Sequence, residues 1–524
     1  MEQVNWDELK KEVPEWFRDA KFGMFFHWGP YSVPAYQNEW YSRNMYCGGL
    51  EQNRYHVETY GKLHDFGYKD FYPMMKGEKF DAGEWAKLVK RAGARYAGPV
   101  TEHCDNFSMW NSSVNPVNSV NYGPKRDVVG ECMEAFRKEG IRTLATFHHQ
   151  WLWGWFMSTD NEADVYDPAN EMYYGPALPL ETNRYIPYRY PDEAFCRTWR
   201  DKVYEVIDKY APDAIYFDSR TCIIREDYRY SMADYYYRVR GMKEGIITYK
   251  QEDFPRDIGV YDIECGKFSR PRSFPWQSDD RLEDNITWCM VQSPKYKSAE
   301  RIIHQLCDIV SKNGNLLLNV GPYADGSFHP EAVAVLEEVG DWLSINGEAI
   351  YATRPHTIAA EGPTIVEDEN YDEAKIEEQI KKGGAADVHS ETLTAEDFRF
   401  TTHGDTLYAI AMGWPKDGEL RIRTLREGGP CQREIKGVFL LGDLAAKQGN
   451  FSLTIIFFQI IHSEICIKNG VIQLICLLKH FVKSSTDIID FRDFHPSLTD
   501  CHAVLVASPV TGRKGFHESG NLPQ

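Results

Sequence analysis

Between residue 20 and about residue 345 the chain alternates short apolar runs with longer stretches whose apolar positions recur every three to four residues. The short runs predict strands around Phe25, Ala97, Leu144, Ile215, Ile246, Val260 and Leu317. The longer stretches predict helices over 82–91, 128–139, 195–210, 298–311 and 330–345. In the third of these, Trp199, Val203, Val206 and Ile207 share one face and are expected to pack on the sheet. Gly140 and Gly314 are expected to stop the second and fourth helices. Strand–helix alternation implies a mainly parallel sheet, either closed into a (β/α)8-type barrel or open and doubly wound. Seven strands are legible, and segment 70–79 leaves room for an eighth.

Five of the strand candidates end on side chains able to do chemistry. They are His27, the pair Glu102 and His103, the pair His148 and His149, Asp218, and Glu264. An open sheet would use one crevice, whereas a closed barrel gathers its strand ends on one rim, where barrel enzymes carry out catalysis. The barrel is therefore the expected fold, over residues 1–347.

After residue 347 the texture changes. Segments 350–365 and 407–439 alternate with period two between Gly and Pro turns, which predicts a small β-sandwich over 348–444, one that could be incomplete. The stretch 367–387 is rich in Glu, Asp and Lys and reads as a solvated loop. Residues 445–524 have a foreign composition, with no Trp or Tyr and with seven Lys and Arg against six Asp and Glu. They read as an atypical tail, out of frame or disordered, with a membrane-surface segment as the alternative. Gln459, Glu464 and Lys468 interrupt the apolar stretch 451–478, so it falls short of a continuous span.

Composition narrows the functional classes. A net charge of −19 argues against nucleic acid and anionic membranes as partners, because phosphate binding needs clustered Lys and Arg. Twelve cysteines without a Cys-x-x-Cys pair read as reduced thiols. The polar, acidic start of the chain lacks the pattern of a secretion signal, so the expected location is cytoplasmic. The sequons at Asn111, Asn285 and Asn450 carry little weight in that setting. No cofactor or metal is expected, and homo-oligomerisation is left open.

Asp218 and Glu264 are the central candidates. Hydrolysis of a glycosidic bond needs one carboxylate at the anomeric carbon and a second carboxyl to protonate the leaving oxygen. The spacing of the two fits one or two strand–helix units, so both can reach the same rim. Near the first strand, His27, Trp28, Glu39 and Trp40 fall within a short segment. Either they form a buried aromatic plug or they clamp sugar hydroxyls against an aromatic platform.

Here the chain resembles family 29 glycoside hydrolases, the α-L-fucosidases. The resemblance rests on 21–41, on Glu102-His103-Cys104-Asp105-Asn106-Phe107, on 123–131, on 213–218, on Pro275-Trp276-Gln277 and on 311–322. It covers roughly residues 15 to 355 in the family's order. It implies a retaining exo-α-L-fucosidase acting on a fucosylated glycan or small fucoside by double displacement. Asp218 would be the nucleophile and Glu264 the acid/base, with Glu252, Asp262, Asp279 and Glu39 in reserve. His27, Trp28, Glu39, Trp40, His103, His148, His149 and Trp276 would bind the sugar. Asn315 and Asn319 would organise a late strand without chemistry.

Two positions depart from the family's pattern. Cys104 stands where a second histidine is expected, and a thiol is a poor partner for a sugar hydroxyl, so His148 or His149 must compensate. Gln277 stands where many members carry Glu. These departures keep open a catalytically weak fucose-binding protein. A metal-dependent barrel hydrolase using His103, His148, His149 and Asp218 is a further alternative. Lys125 and Arg126 invite a phosphate-site reading, but segment 123–130 is better taken as a turn and helix start.

Overall fold

The structure is a computed structural model that describes residues 4–176, 178, 190–364, 393–413, 419–426, 437–441, 458–459, 471–473 and 504–507. The chain divides into two compact units, the first over Met1–Ser344 and the second beginning at Ile345.

Eight parallel strands close the first unit into a barrel, each bonded to the next and the last to the first. They are β1 (Phe22–Phe26), β2 (Tyr96–Glu102), β3 (Arg142–Phe147), β4 (Ala214–Phe217), β5 (Ile246–Tyr249), β6 (Val260–Asp262), β7 (Trp276–Arg281) and β8 (Gly314–Asn319). The eighth strand is β7, whereas the room left for it at 70–79 is entered by a 3-10 helix, Tyr68–Met74. β7 escapes the hydrophobic pattern because four consecutive residues, Gln277 to Asp280, are polar. Each is buried and meets a partner inside the fold, so polarity here does not mean a loop.

Side chains of alternate strand positions fill the barrel with Phe25, Tyr96, Val100, Leu144, Ala214, Tyr216, Ile246, Val260 and Leu317, and Phe17 packs against them. Gly23 makes room for this layer. A Cβ there would sit 2.3 Å from the Tyr96 ring, whose hydroxyl crosses the barrel to donate to Gln277 Oε1 at 2.8 Å. Full burial of one large apolar side chain contributes about 1.5–3 kcal/mol. Eight such side chains, with Ala214 filling a smaller space, offset the cost of holding polar groups above them.

The helices start on the caps that their sequences offer. α1 (Ala82–Arg91) has Asp81 accepting from the Gly83 and Glu84 amides, and α2 (Val128–Lys138) has Asp127 accepting from Gly130. α3 (Glu193–Tyr210) is capped by Asp192 and buries Trp199, Val203, Val206 and Ile207, the expected face. α4 (Glu226–Arg240), α5 (Ala299–Ser311) and α6 (Pro330–Asn346) follow. Gly140 takes the left-handed conformation after α2, as expected. After α5 it is Asn313, at φ 75°, that turns the chain, and Gly314 already begins β8. Among the described residues no helix is long and apolar enough to cross a membrane.

The second unit contains β9 (Arg354–Glu361), β10 (Phe398–His403), β11 (Thr406–Ala411), β12 (Glu419–Arg421), β13 (Gly437–Leu441), β14 (Phe458–Gln459), β15 (Val471–Gln473) and β16 (Val504–Ala507). Six form an antiparallel sheet in the order β14-β13-β16-β11-β10-β9, and β12 pairs with β15. Phe398 and Phe400 of β10, Ala409 and Ala411 of β11, and Leu420 and Ile422 form its core. The expected loop at 367–387 and most of the expected tail at 445–524 lie outside the described residues.

Candidate active site

Strand periodicity sets the site. Side chains alternate between the barrel interior and the surrounding helices, so the inward register can be counted from the apolar layer to the rim. Two positions beyond Phe25 comes His27, four beyond Leu144 comes His148, and two beyond Tyr216 comes Asp218. Four beyond Ile246 comes Lys250, four beyond Val260 comes Glu264, and two beyond Leu317 comes Asn319. Strand β2 needs a correction to the count. From Val100 the inward side chain would be Glu102, but the register shifts between Val100 and Glu102. This bulge re-aims the chain. His103 then joins the rim cluster, while Glu102 meets Lys202 of α3 at 2.5 Å, both fully buried.

The same counting explains which expected residues do not reach the site. Trp28 and His149 each follow an inward residue and therefore point outward. Trp28 donates to the Tyr323 carbonyl at 2.8 Å and packs on Phe80 and on Trp85 of α1. The His149 ring stacks on Trp199 of α3, with Nε2 3.1 Å from that residue's carbonyl. Trp276 opens β7, at the end of the strand opposite the rim, and donates to the Lys312 carbonyl at 2.9 Å. All three belong to the packing between strands and their surroundings. Of the two histidines that could stand in for Cys104, the structure brings His148 to the rim. With His149 directed away, the metal set His103–His148–His149–Asp218 is not assembled.

Lys250 is the hub of the acidic half. Its Nζ lies 3.2 Å from Asp218 Oδ1, 2.9 Å from Glu264 Oε2 and 3.0 Å from Asp279 Oδ2. Burial alone would push this ammonium down. The Asp279, Glu264 and Asp218 carboxylates outweigh it and hold the lysine well above its usual value. The three acids differ in depth, with side-chain exposures of 41% for Glu264, 17% for Asp218 and 2% for Asp279. Below them, burial and the neighbouring Asp279 carboxylate push Asp262 well above the carboxylate range. Asp262 also accepts from Gln277 Nε2 at 2.7 Å. Gln277 thus sits in the barrel interior between Tyr96 and Asp262, so its departure from Glu does not touch the rim.

The opposite half is imidazole. The His27 ring lies 5.5 Å from His103 and 5.1 Å from His148, and those two lie 5.0 Å apart. Asn319 Oδ1 accepts from the His27 amide at 3.1 Å and pairs with Nδ1 at 2.7 Å. An oxygen already accepting from the backbone takes the ring proton too, which leaves the His27 Nε2 lone pair free. Burial pushes His27 down to about 4, and burial with the neighbouring imidazoles pushes His103 and His148 well below the usual value. All three rings are neutral at neutral pH.

Trp288 closes the hollow between the halves. Its half-buried ring lies 5.5 Å from His27 and 5.8 Å from Lys250 Nζ. Its amide donates to Glu39 Oε2 at 2.9 Å, and Asn319 Nδ2 donates to its carbonyl. Burial pushes Glu39 up to about 7, with the Trp288 amide opposing and Glu264 adding to the rise. Trp40 is half-buried against Trp155 and Trp151, at 4.8 and 5.7 Å, and Trp155 lies 6.3 Å from His103. Sequence reasoning missed Lys250 and Trp288. The inward count along β5 would have exposed the lysine. Trp288 follows a strand whose polarity hid it.

Comparison with known proteins places the family and the fold. Residues 2–348 match the sequence model of a family described as Alpha-L-fucosidase. The tissue alpha-L-fucosidase of Homo sapiens is 30% identical over 434 residues, covering 80% of this chain and 80% of that one. The tissue alpha-L-fucosidase of Mus musculus is 30% identical over 458 residues, covering 85% and 87%. The crystal structure of a Thermotoga maritima alpha-fucosidase in complex with fucose shares the fold, with TM-score 0.66 at 24% identity over 96% of this chain and 99% of that one.

Proposed function

The chain belongs to the α-L-fucosidase family of glycoside hydrolases, and on that premise we propose that it releases terminal α-L-fucosyl units with retention, using Asp218 as nucleophile and Glu264 as acid/base. The observation that carries this reading is the shared ammonium of Lys250. Oxygens of Asp218 and Glu264 held 3.2 and 2.9 Å from one nitrogen lie no more than about 6 Å apart, which favours the about 5–5.5 Å spacing of retaining pairs.

In the first step Glu264, having taken a proton from solvent, gives it to the departing glycosidic oxygen while an Asp218 oxygen attacks the anomeric carbon. The product is a fucosyl ester on Asp218 and a Glu264 carboxylate. Esterification removes the charge of Asp218 from Lys250, which then pairs with the newly ionised Glu264. In the second step Glu264 takes a proton from water as the water oxygen attacks the anomeric carbon, and fucose leaves with Asp218 ionised again. Lys250 thus steadies whichever rim carboxylate is charged. Asp279 anchors it from below.

Fucose presents a methyl group and three free ring hydroxyls. Neutral imidazoles at His27, His103 and His148 can each donate or accept one hydrogen bond, and Glu39, protonated below about pH 7, can donate one. Trp288 and Trp40 supply flat apolar faces. A site with buried polar groups matched to the hydroxyls rejects sugars that leave them unpaired. Time-resolved proton NMR of nitrophenyl α-L-fucoside hydrolysis tests the reading. The α anomer of fucose is expected first, and first appearance of the β anomer would contradict it.

A further inference from the structure

The three imidazoles that receive the sugar in this reading also have the geometry of a metal site. One ring nitrogen from each of His27, His103 and His148 lies within 4.8 Å of the other two, and all three residues are buried. His27 Nδ1 is committed to Asn319 Oδ1, the outer hydrogen bond that orients a metal-binding histidine and leaves the second nitrogen as ligand. Nδ1 of His103 and Nδ1 of His148 are buried with no hydrogen-bond partner among the described residues. Three neutral rings on three adjacent strands, with nitrogens left over, form a donor set awaiting an acceptor.

We propose that His27, His103 and His148 bind one Zn²⁺ ion in the sugar-free enzyme, and that the ion excludes the fucosyl unit and so acts as a competitive inhibitor. The ligand chemistry selects the metal. Three imidazoles with an open fourth position suit zinc, whereas Ca²⁺ and Mg²⁺ seek oxygen. Tetrahedral Zn–N bonds of about 2.0–2.1 Å place ligand nitrogens roughly 3.4 Å apart, a spacing that lies inside the 4.8 Å bound on the present separations. Asp218 offers a compensating negative charge nearby, and Lys250 opposes with a positive one. Inhibition rests on the reading of this hollow as the sugar site, while metal binding itself does not.

The test treats the full chain with chelator, removes the chelator, and titrates with Zn²⁺ by calorimetry and with Co²⁺ by visible absorption. The expected result is one ion per chain, with the intense visible bands of low-coordinate cobalt. His148→Ala and His103→Asn should each weaken binding at least tenfold, and His64→Ala, at an exposed site, should not. Thermal melting of each variant shows that it folds. L-Fucose should displace the ion, and Zn²⁺ should raise KM for nitrophenyl α-L-fucoside with kcat unchanged. Absence of one-to-one binding, or binding untouched in both triad variants, overturns the metal site. An ion lost in both triad variants but not displaced by fucose overturns competition and counts against the sugar placement instead.

Discussion

Lys250 Nζ stands 3.2 Å from Asp218 Oδ1, joining the ends of two adjacent barrel strands through an ion pair buried on the lysine side and partly exposed on the other. The lysine also meets Glu264 and Asp279, so its removal leaves three acids without a counter-charge. Lys250→Met is expected to lower kcat by about 10²–10³-fold, the range for deleting one preorganised electrostatic donor. It should also destabilise the fold by about 3–5 kcal/mol, the cost of breaking a buried pair. Lys250→Arg should recover part of both losses. Steady-state kinetics and denaturant melts check this, and a Lys250→Met enzyme with wild-type kcat would remove the lysine from the mechanism.

Glu264 is the most exposed of the three acids at the hub, as a group that meets the leaving oxygen needs to be. Without its proton, substrates with poor leaving groups suffer most. Glu264→Ala should cut turnover of an alkyl or glycan fucoside by at least about 10²-fold, the lower end for general acid catalysis. The loss on a dinitrophenyl fucoside should be several-fold smaller. Equal losses across leaving groups would assign the acid role to another residue.

Burial raises Glu39 to about 7, which ties stability to pH in a definite direction. Between about pH 4.5 and 7 the folded state keeps a proton that the unfolded chain has released. Stability from this group therefore falls as pH rises through that window, by up to about 3 kcal/mol at 1.36 kcal/mol per pKa unit. Glu39→Gln removes the titration but keeps an acceptor for the Trp288 amide. The variant should gain on wild type between pH 5 and pH 8 in thermal melts. Parallel curves for the two proteins would show that Glu39 does not titrate there.

His148 and His149 are neighbours with opposite directions. His148→Ala should raise KM for nitrophenyl α-L-fucoside several-fold. His149→Ala should leave KM unchanged and lower the melting temperature, because it removes a ring stacked on Trp199. A KM effect from His149 alone would mean that the strand register at the end of β3 is reversed.

That contrast shows what could be read from the amino acids alone. Seven strands and the main helices follow from apolar periodicity, and the carboxyl ends of those strands lead directly to His27, His103, His148, Asp218 and Glu264. What the pattern hides has a physical cause in each case. β7 carries Gln277, Ser278, Asp279 and Asp280 in sequence and looks like a loop, because their partners lie far away in the chain. Lys250 looks like a solvent lysine until three acids from other strands surround it. Trp28, His149 and Trp276 share the composition of a sugar site but have the wrong parity or the wrong strand end. One bulge in β2 decides between Glu102 and His103, and composition does not signal it.

The central claim, that Asp218 forms the covalent bond to the sugar, is tested most directly by Asp218→Gly with and without azide. Turnover of nitrophenyl α-L-fucoside should fall by at least about 10⁴-fold, in the range seen when a nucleophile that acts as one unit with its partners is lost, with thermal stability maintained. Added azide should restore nitrophenol release and yield β-L-fucosyl azide, because the small anion enters the vacated space and inverts the anomeric carbon once. Failure of azide to rescue a folded variant, or an α-configured azide product, would contradict the account.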